Sequence, residues 1–183
     1  HLSMMNTKLV KRILFGLTLT LAVVLARLIP HAPNFTPLLA MTIFCAVSVE
    51  DKKWGLLMPL IAMGISDIFL GWHASMIFVY GAIILVGVLS IFLCKSQKIS
   101  SVAMATLISP LVFYGVTNFG VWAVTSMYSK TFIGLYMSYI AGLPFLKVSM
   151  SSTVLFSCIL FVPFFMLKQS NIREKLSERF VLI

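Results

Sequence analysis

Apolar residues run along this chain in long blocks, separated by short turns of basic, proline, histidine and small polar residues. The first block covers residues 13–29 and is closed by Pro30 and the loop His31-Ala-Pro-Asn34. The second opens on Thr36-Pro37, which predicts a helix start with Thr36 as cap and Pro37 in the first helical position. It continues to about Val49 and stops at Glu50-Asp51-Lys52-Lys53. The third block, 55–71, is followed by the turn Trp72-His73, and the fourth, 74–94, by Lys95-Ser-Gln-Lys98. The fifth covers 102–126, with a bend expected at Ser109-Pro110 because proline removes a backbone hydrogen bond. The last covers 148–167 and ends at Lys168. No block alternates with the period of a strand. A membrane-spanning helix needs about 20 apolar residues, so the pattern predicts an all-α bundle of spanning helices.

The segment 127–147 decides the count. Its apolar core, 132–143, is short for a crossing. With six spans and both termini inside, the inner side holds Lys8, Lys11, Arg12, Lys52, Lys53, Lys95, Lys98, Lys168, Arg173, Lys175 and Arg179. The outer side holds Arg27, Lys130 and Lys147, a division of eleven to three. A seventh span would put the basic C-terminal tail outside, against the positive-inside tendency. Six spans are therefore expected, with 127–147 as an outer lid or re-entrant element. Residues 171–183 place Ile172, Leu176 and Phe180 on one face among basic residues, the pattern of an amphipathic helix on the inner membrane surface. Residues 1–4 have the look of a cloning remnant before a natural start at Met4 or Met5. One domain, 1–183, is expected.

Composition agrees with this reading. Of 183 residues, 60% are hydrophobic and 10% charged, and the mean hydropathy is +1.05. A soluble domain carries about 25% charged residues. The net charge of +9 resides mostly in the turns, where it sets topology, and no nucleic-acid-binding motif accompanies it. Cys45, Cys94 and Cys158 are far apart and form no metal-ligand spacing. The chain contains no P-loop, H-E-x-x-H or nucleophile-elbow sequence, so neither an enzyme nor a bound cofactor is expected.

The polar residues within or beside the blocks gather at one end. Arg27, His31, Asn34, Thr36, Asp67, Trp72, His73, Asn118, Trp122 and Tyr128 all fall toward the expected outer face. Polar and ionisable groups are expensive in hydrocarbon and generally face a cavity or pathway, so a one-sided cluster points to a pocket. Asp67 lies roughly 6 Å of helix rise from its span's outer end. It is expected to bind a ligand or coupling proton, to pair with Arg27, or to do both if the pair shapes the pocket wall. His31 and His73 are candidate ligand contacts, or solvated loop histidines. Trp122, Tyr136 and the other aromatics suit stacking on a flat heterocycle, or an interfacial belt. Asn34 and Asn118 are candidate hydrogen-bonding groups, and an amide within a span needs a partner. Thr18, Ala22 and Ala26 repeat every four residues on the first helix, which permits close approach of another helix, inside the bundle or from a partner.

The stretches Arg27-Leu-Ile-Pro-His-Ala-Pro-Asn-Phe-Thr-Pro37, Ser66-Asp-Ile-Phe-Leu-Gly-Trp-His73 and Val116-Thr-Asn-Phe-Gly-Val-Trp122 resemble an uncharacterised family of short bacterial membrane proteins. Through size, six spans and the proline-rich loop after the first helix, that family is similar to the substrate-binding S-components of energy-coupling factor (ECF) vitamin transporters. The resemblance implies a six-helix bundle in the bacterial cytoplasmic membrane, with an outward pocket closed by the loop 30–37. It implies a vitamin or vitamin precursor as ligand, a corrinoid among the options with His73 ligating cobalt, and a transmembrane coupling subunit with two ATPases as partners. Ala22-Val-Val-Leu-Ala26 matches the A-x-x-x-A pattern by which many S-components meet that subunit. The rival expectations are a proton-coupled carrier or channel using Asp67 and His73, and a structural subunit of a larger membrane complex.

Overall fold

The computed structural model describes the backbone of residues 2–181 and the side chains of residues 14–170. Six helices follow one another: α1 (Leu2–Leu28), α2 (Leu38–Ser48), α3 (Lys52–Leu70), α4 (Met76–Leu93), α5 (Ile99–Val124) and α6 (Phe132–Val181). No strand occurs among the described residues. α3, α4, α5 and the 132–170 part of α6 are long and apolar enough to cross a membrane, whereas 14–28 of α1 and α2 are shorter apolar helices. Large apolar side chains such as Ile68, Phe69, Ile77, Phe92 and Ile159 lie on the protein surface, as helices bathed in lipid require.

The short α2 organises the bundle. A helix that is apolar all round has to be buried on every side, and ten consecutive residues of α2, Leu38 to Val47, are buried. α2 packs against all five other helices. Leu39, Ile43, Phe44 and Val47 form one stripe, packed with Val86, Val102, Ala105 and Phe161 of α4, α5 and α6. Leu38, Met41 and Cys45 form a second, packed with Val23, Val24, Ala62, Met63 and Ile83 of α1, α3 and α4. Its 11 residues rise only about 16 Å, half of a bilayer's roughly 30 Å hydrocarbon core.

Both ends of α2 have consequences. At its C-terminus the Lys52 ammonium donates to the carbonyls of Ala46 (2.9 Å), Val47 (3.4 Å) and Val49 (2.9 Å). The Gln97 amide also donates to Val47 O (3.2 Å), and Lys168 of α6 donates to Gln97 (2.8 Å). A cation at a helix C-terminus satisfies orphan carbonyls and opposes the helix dipole. At the N-terminus Pro37 occupies the cap position, and no side chain caps the helix. The expectation that Thr36 caps and Pro37 opens the helix is therefore corrected by one residue. The proline still serves through its carbonyl, which accepts the first helical bond from Met41 N (2.8 Å).

One further expectation changes. Residues 132–147 are not a separate re-entrant element; they form the first turns of α6, continuous with the last apolar block. Pro144, Pro163 and the exposed Lys147 interrupt the sequence pattern without ending the helix, as proline is tolerated where neighbours re-satisfy the freed backbone. α5 is one continuous helix that includes Ser109-Pro110, both buried. The side chains of residues 1–13 and 171–183, on which the expectations about Lys8, Lys11, Arg12, residues 1–4 and an amphipathic C-terminal helix fall, lie outside the described side chains.

The start of α3 approaches the end of α2 closely. A Cβ on Gly55 would stand 2.7 Å from Cys45 O, a backbone atom that cannot move aside. Gly55→Val should therefore destabilise the protein by about 1–3 kcal/mol, read as lost helicity at a lower denaturant concentration. An unchanged unfolding midpoint would contradict the close α2–α3 packing.

Candidate ligand-binding site

Three helices meet at a buried charge pair. Arg27 stands in the last turn of α1, where a cation is favoured by the helix dipole. Its Nη2 donates to Asp67 Oδ1 of α3 at 2.7 Å, and its Nη1 points at Met63 O at 3.4 Å. Tyr80 of α4 donates its hydroxyl to the other carboxylate oxygen, Oδ2, at 2.9 Å. The Arg27 and Asp67 side chains are 14% and 4% exposed. Two charges at such burial are tolerable only when paired and further hydrogen-bonded, and Tyr80 supplies the further bond. Asp67 has both oxygens engaged, so of the two readings open to it the ion pair with Arg27 is the one present.

The opposite side is built from α5 and α6. Tyr114 donates to Tyr139 O (2.6 Å), and Tyr139 donates back to Gly115 O (2.9 Å). One turn further, Ser138 donates to the backbone carbonyl of Asn118 (2.8 Å). The Asn118 amide donates to Tyr114 O (2.9 Å) and lies so close to Gly142 that a Cβ there would collide with it. These contacts orient Asn118 while leaving part of its amide free for another partner, since the group carries two donors and an acceptor.

Between the two sides lies a cavity of about 600 Å³. Leu38 and Leu39, at the start of α2, line its α2 end, and Arg27, His73, Asn118 and Ser138 contribute polar groups to its walls. The connection 29–37 borders it. Asn34 adopts φ 65°, a left-handed conformation that asparagine accepts more readily than most residues. Its carbonyl accepts from Ser152 of α6 (3.2 Å), and the Phe35 and Phe156 rings stand 5.9 Å apart, which fastens the loop to α6. His31 is tethered through Nδ1 to Ile29 O (2.5 Å), and His73 Nδ1 lies 3.2 Å from Ser75 Oγ.

Of the residues singled out from the sequence, His31, Asn34, His73 and Asn118 line this cavity, together with Arg27, Thr36 and Tyr128. Asp67, Trp122 and Tyr136 do not. Asp67 acts behind the wall through Arg27. Trp122 is spent on the α5–α6 turn: its Nε1 donates to Ser129 O (3.0 Å), its carbonyl accepts from Lys130, and that ammonium sits 5.9 Å from its ring centre. Tyr136 and Trp72 are exposed. Thr18 and Ala22 are exposed on α1 and Ala26 is half-buried, so internal packing does not consume that stripe. Among the described residues no three histidine, cysteine or acidic side chains gather into a metal site.

The contribution of α6 was missed. Ser138, Gly142, Phe145, Ser149 and Ser152 all line the cavity at steps of four, three, four and three, which is one face of a helix. That stripe becomes visible only when 132–152 is read as a single helix.

This architecture defines a multi-pass helical membrane protein with a cavity, largely apolar and edged by a few polar groups, at one end of its bundle. The chain belongs to a family of unknown function, DUF6580, which matches residues 7–176. No curated protein and no solved structure matches it.

The charge pair generates a prediction. Asp67→Asn alone strands a buried guanidinium and should cost about 3–5 kcal/mol of stability. Arg27→Gln with Asp67→Asn removes both charges together and should recover most of that loss in thermal unfolding. Two single substitutions whose effects simply add in the double variant would contradict the pairing.

Proposed function

We propose that this protein is a substrate-capture subunit of the bacterial cytoplasmic membrane that binds a small, partly aromatic micronutrient, a vitamin or its precursor, from the extracytoplasmic side. The observation that carries the reading is the cavity of about 600 Å³ lying over a helix buried on all sides. Ligand sites are concave, mostly apolar and edged by a few oriented polar groups, with volumes of roughly 300–1,000 Å³. Here Leu39, Phe113, Val121 and Phe145 offer apolar surface, and His73, Asn118 and Ser138 offer hydrogen bonds. Asn34 and His31 would close over the ligand from the 29–37 connection. The volume favours a molecule of one or two rings over a corrin macrocycle.

In this reading α1 and α2 complete six crossings and both termini are cytoplasmic. Lys52, Lys53, Lys95, Lys98 and Lys168 all lie at the end of the bundle away from the cavity, which supports that orientation. The S-component resemblance adds a transmembrane coupling subunit with ATPases as partners, and the exposed Thr18 and Ala22 give such a subunit a close-approach face. The packed α2 beneath the cavity favours capture over conduction, and so weighs against the carrier or channel.

Mass spectrometry of small molecules retained on the purified protein, followed by thermal-shift assays with a vitamin panel, tests the proposal. A retained compound should lose affinity about threefold to tenfold in Asn118→Ala and again in His73→Ala, as expected for single hydrogen bonds. Tyr136→Ala and Trp72→Ala, outside the cavity, should leave affinity unchanged. Equal losses at all four positions, or no stabilising compound, would count against it.

A further inference from the structure

The charge of the cavity wall selects among ligands. Among the described residues, every ionisable side chain that lines it, Arg27, His31, His73 and Tyr128, is basic or a phenol, and no carboxylate lines it. Asp67 is held behind Arg27, where its two oxygens are occupied by Arg27 and Tyr80. The nearest described carboxylates otherwise, Glu50 and Asp51, belong to the far end of α2. A guanidinium carries five N–H donors. Asp67 takes one at 2.7 Å and Met63 O stands 3.4 Å from a second nitrogen, so donors remain for the cavity that Arg27 lines.

Resting on the capture reading above, we propose that the cavity is specific for a water-soluble organic acid, whose carboxylate or phosphate is bound by Arg27 and whose apolar body packs against Phe113, Val121 and Phe145. The pairing with Asp67 is what makes this workable. It offsets the cost of keeping a guanidinium in a membrane protein when the cavity is empty, and it fixes the fork in place. An anion then completes the remaining donors with charge-assisted hydrogen bonds, which are stronger than neutral ones. A cationic ligand would meet a like charge with no carboxylate to receive it.

Ligand-observed NMR with small fragments at millimolar concentration tests this without the natural ligand. The probes are benzoate with benzamide, indole-3-acetate with indole-3-acetamide, and benzyltrimethylammonium, titrated against the full chain in phosphatidylcholine nanodiscs. Each acid should bind about tenfold more tightly than its amide, with the cation weakest. The preference should vanish in the Arg27→Gln/Asp67→Asn double variant, in which Tyr80 can still hydrogen-bond residue 67, while amide binding survives. Acids and amides binding equally, or the cation binding best, would overturn the assignment of an anion and leave the cavity reading standing. Binding of none of the probes would overturn both. Loss of acid binding only when phosphatidylglycerol replaces phosphatidylcholine would give the anion site to a lipid headgroup and overturn the soluble acid.

Discussion

The burial of α2 is the constraint on which the rest of the structure depends. An 11-residue helix with no polar face cannot rest at a membrane surface, and it is too short to cross the hydrocarbon alone. Its stable location is the middle of a bundle, surrounded by longer helices that carry the lipid-facing surface. Once α2 is enclosed, its length fixes how deep the packed core reaches. The longer helices continue past its N-terminus without a sixth element between them, and the space left there is the cavity. The cations and amide that cap its other end tie α3, the α4–α5 turn and α6 together. Core and cavity are thus two halves of one packing solution.

Charge is handled with the same economy. The one acidic residue inside a span has both its oxygens satisfied, by Arg27 and by Tyr80. This holds α1 against α3 and α4 at the cavity rim, where α1 has few other contacts besides those with α3. Three hydroxyls elsewhere in the core avoid the same difficulty by bonding within their own helices: Thr42 to Leu38 O, Ser90 to Val86 O and Ser109 to Ala105 O. They act as small packing residues and require no partner across an interface. Arg27 and Asn118 differ because each keeps hydrogen-bonding capacity on the cavity side.

Sequence reading recovered the helical membrane class and gathered polar residues that the fold brings to one end of the bundle, because block length and the cost of buried polarity are local properties. Asn34, His31, His73 and Asn118 followed from that alone. It failed where three-dimensional packing overrides a local signal. Lys147 and Pro144 read as a boundary, yet α6 passes through them, since a lysine on the outer face is cheap and neighbouring helices tolerate the proline. Treating 127–147 as separate hid the stripe from Ser138 to Ser152. Trp122 looked like a stacking platform because it groups with Asn34 and Asn118 toward one end, but its indole bonds the turn after α5. Asp67 drew attention for its cost, and that cost is met by its pairing with Arg27 and Tyr80 behind the cavity wall.

Impermeant thiol labelling from each side of sealed vesicles tests most directly whether the cavity opens to one compartment above a closed core. In a Cys158→Ser background, which leaves only the buried Cys45 and Cys94, Thr117→Cys reports on the cavity and Gln97→Cys on the opposite end. The account predicts labelling of residue 117 only from the extracytoplasmic side and of residue 97 only from the cytoplasmic side. Labelling of residue 117 from both sides would reveal a through-path and contradict a one-ended cavity, and labelling from the cytoplasmic side alone would contradict its orientation.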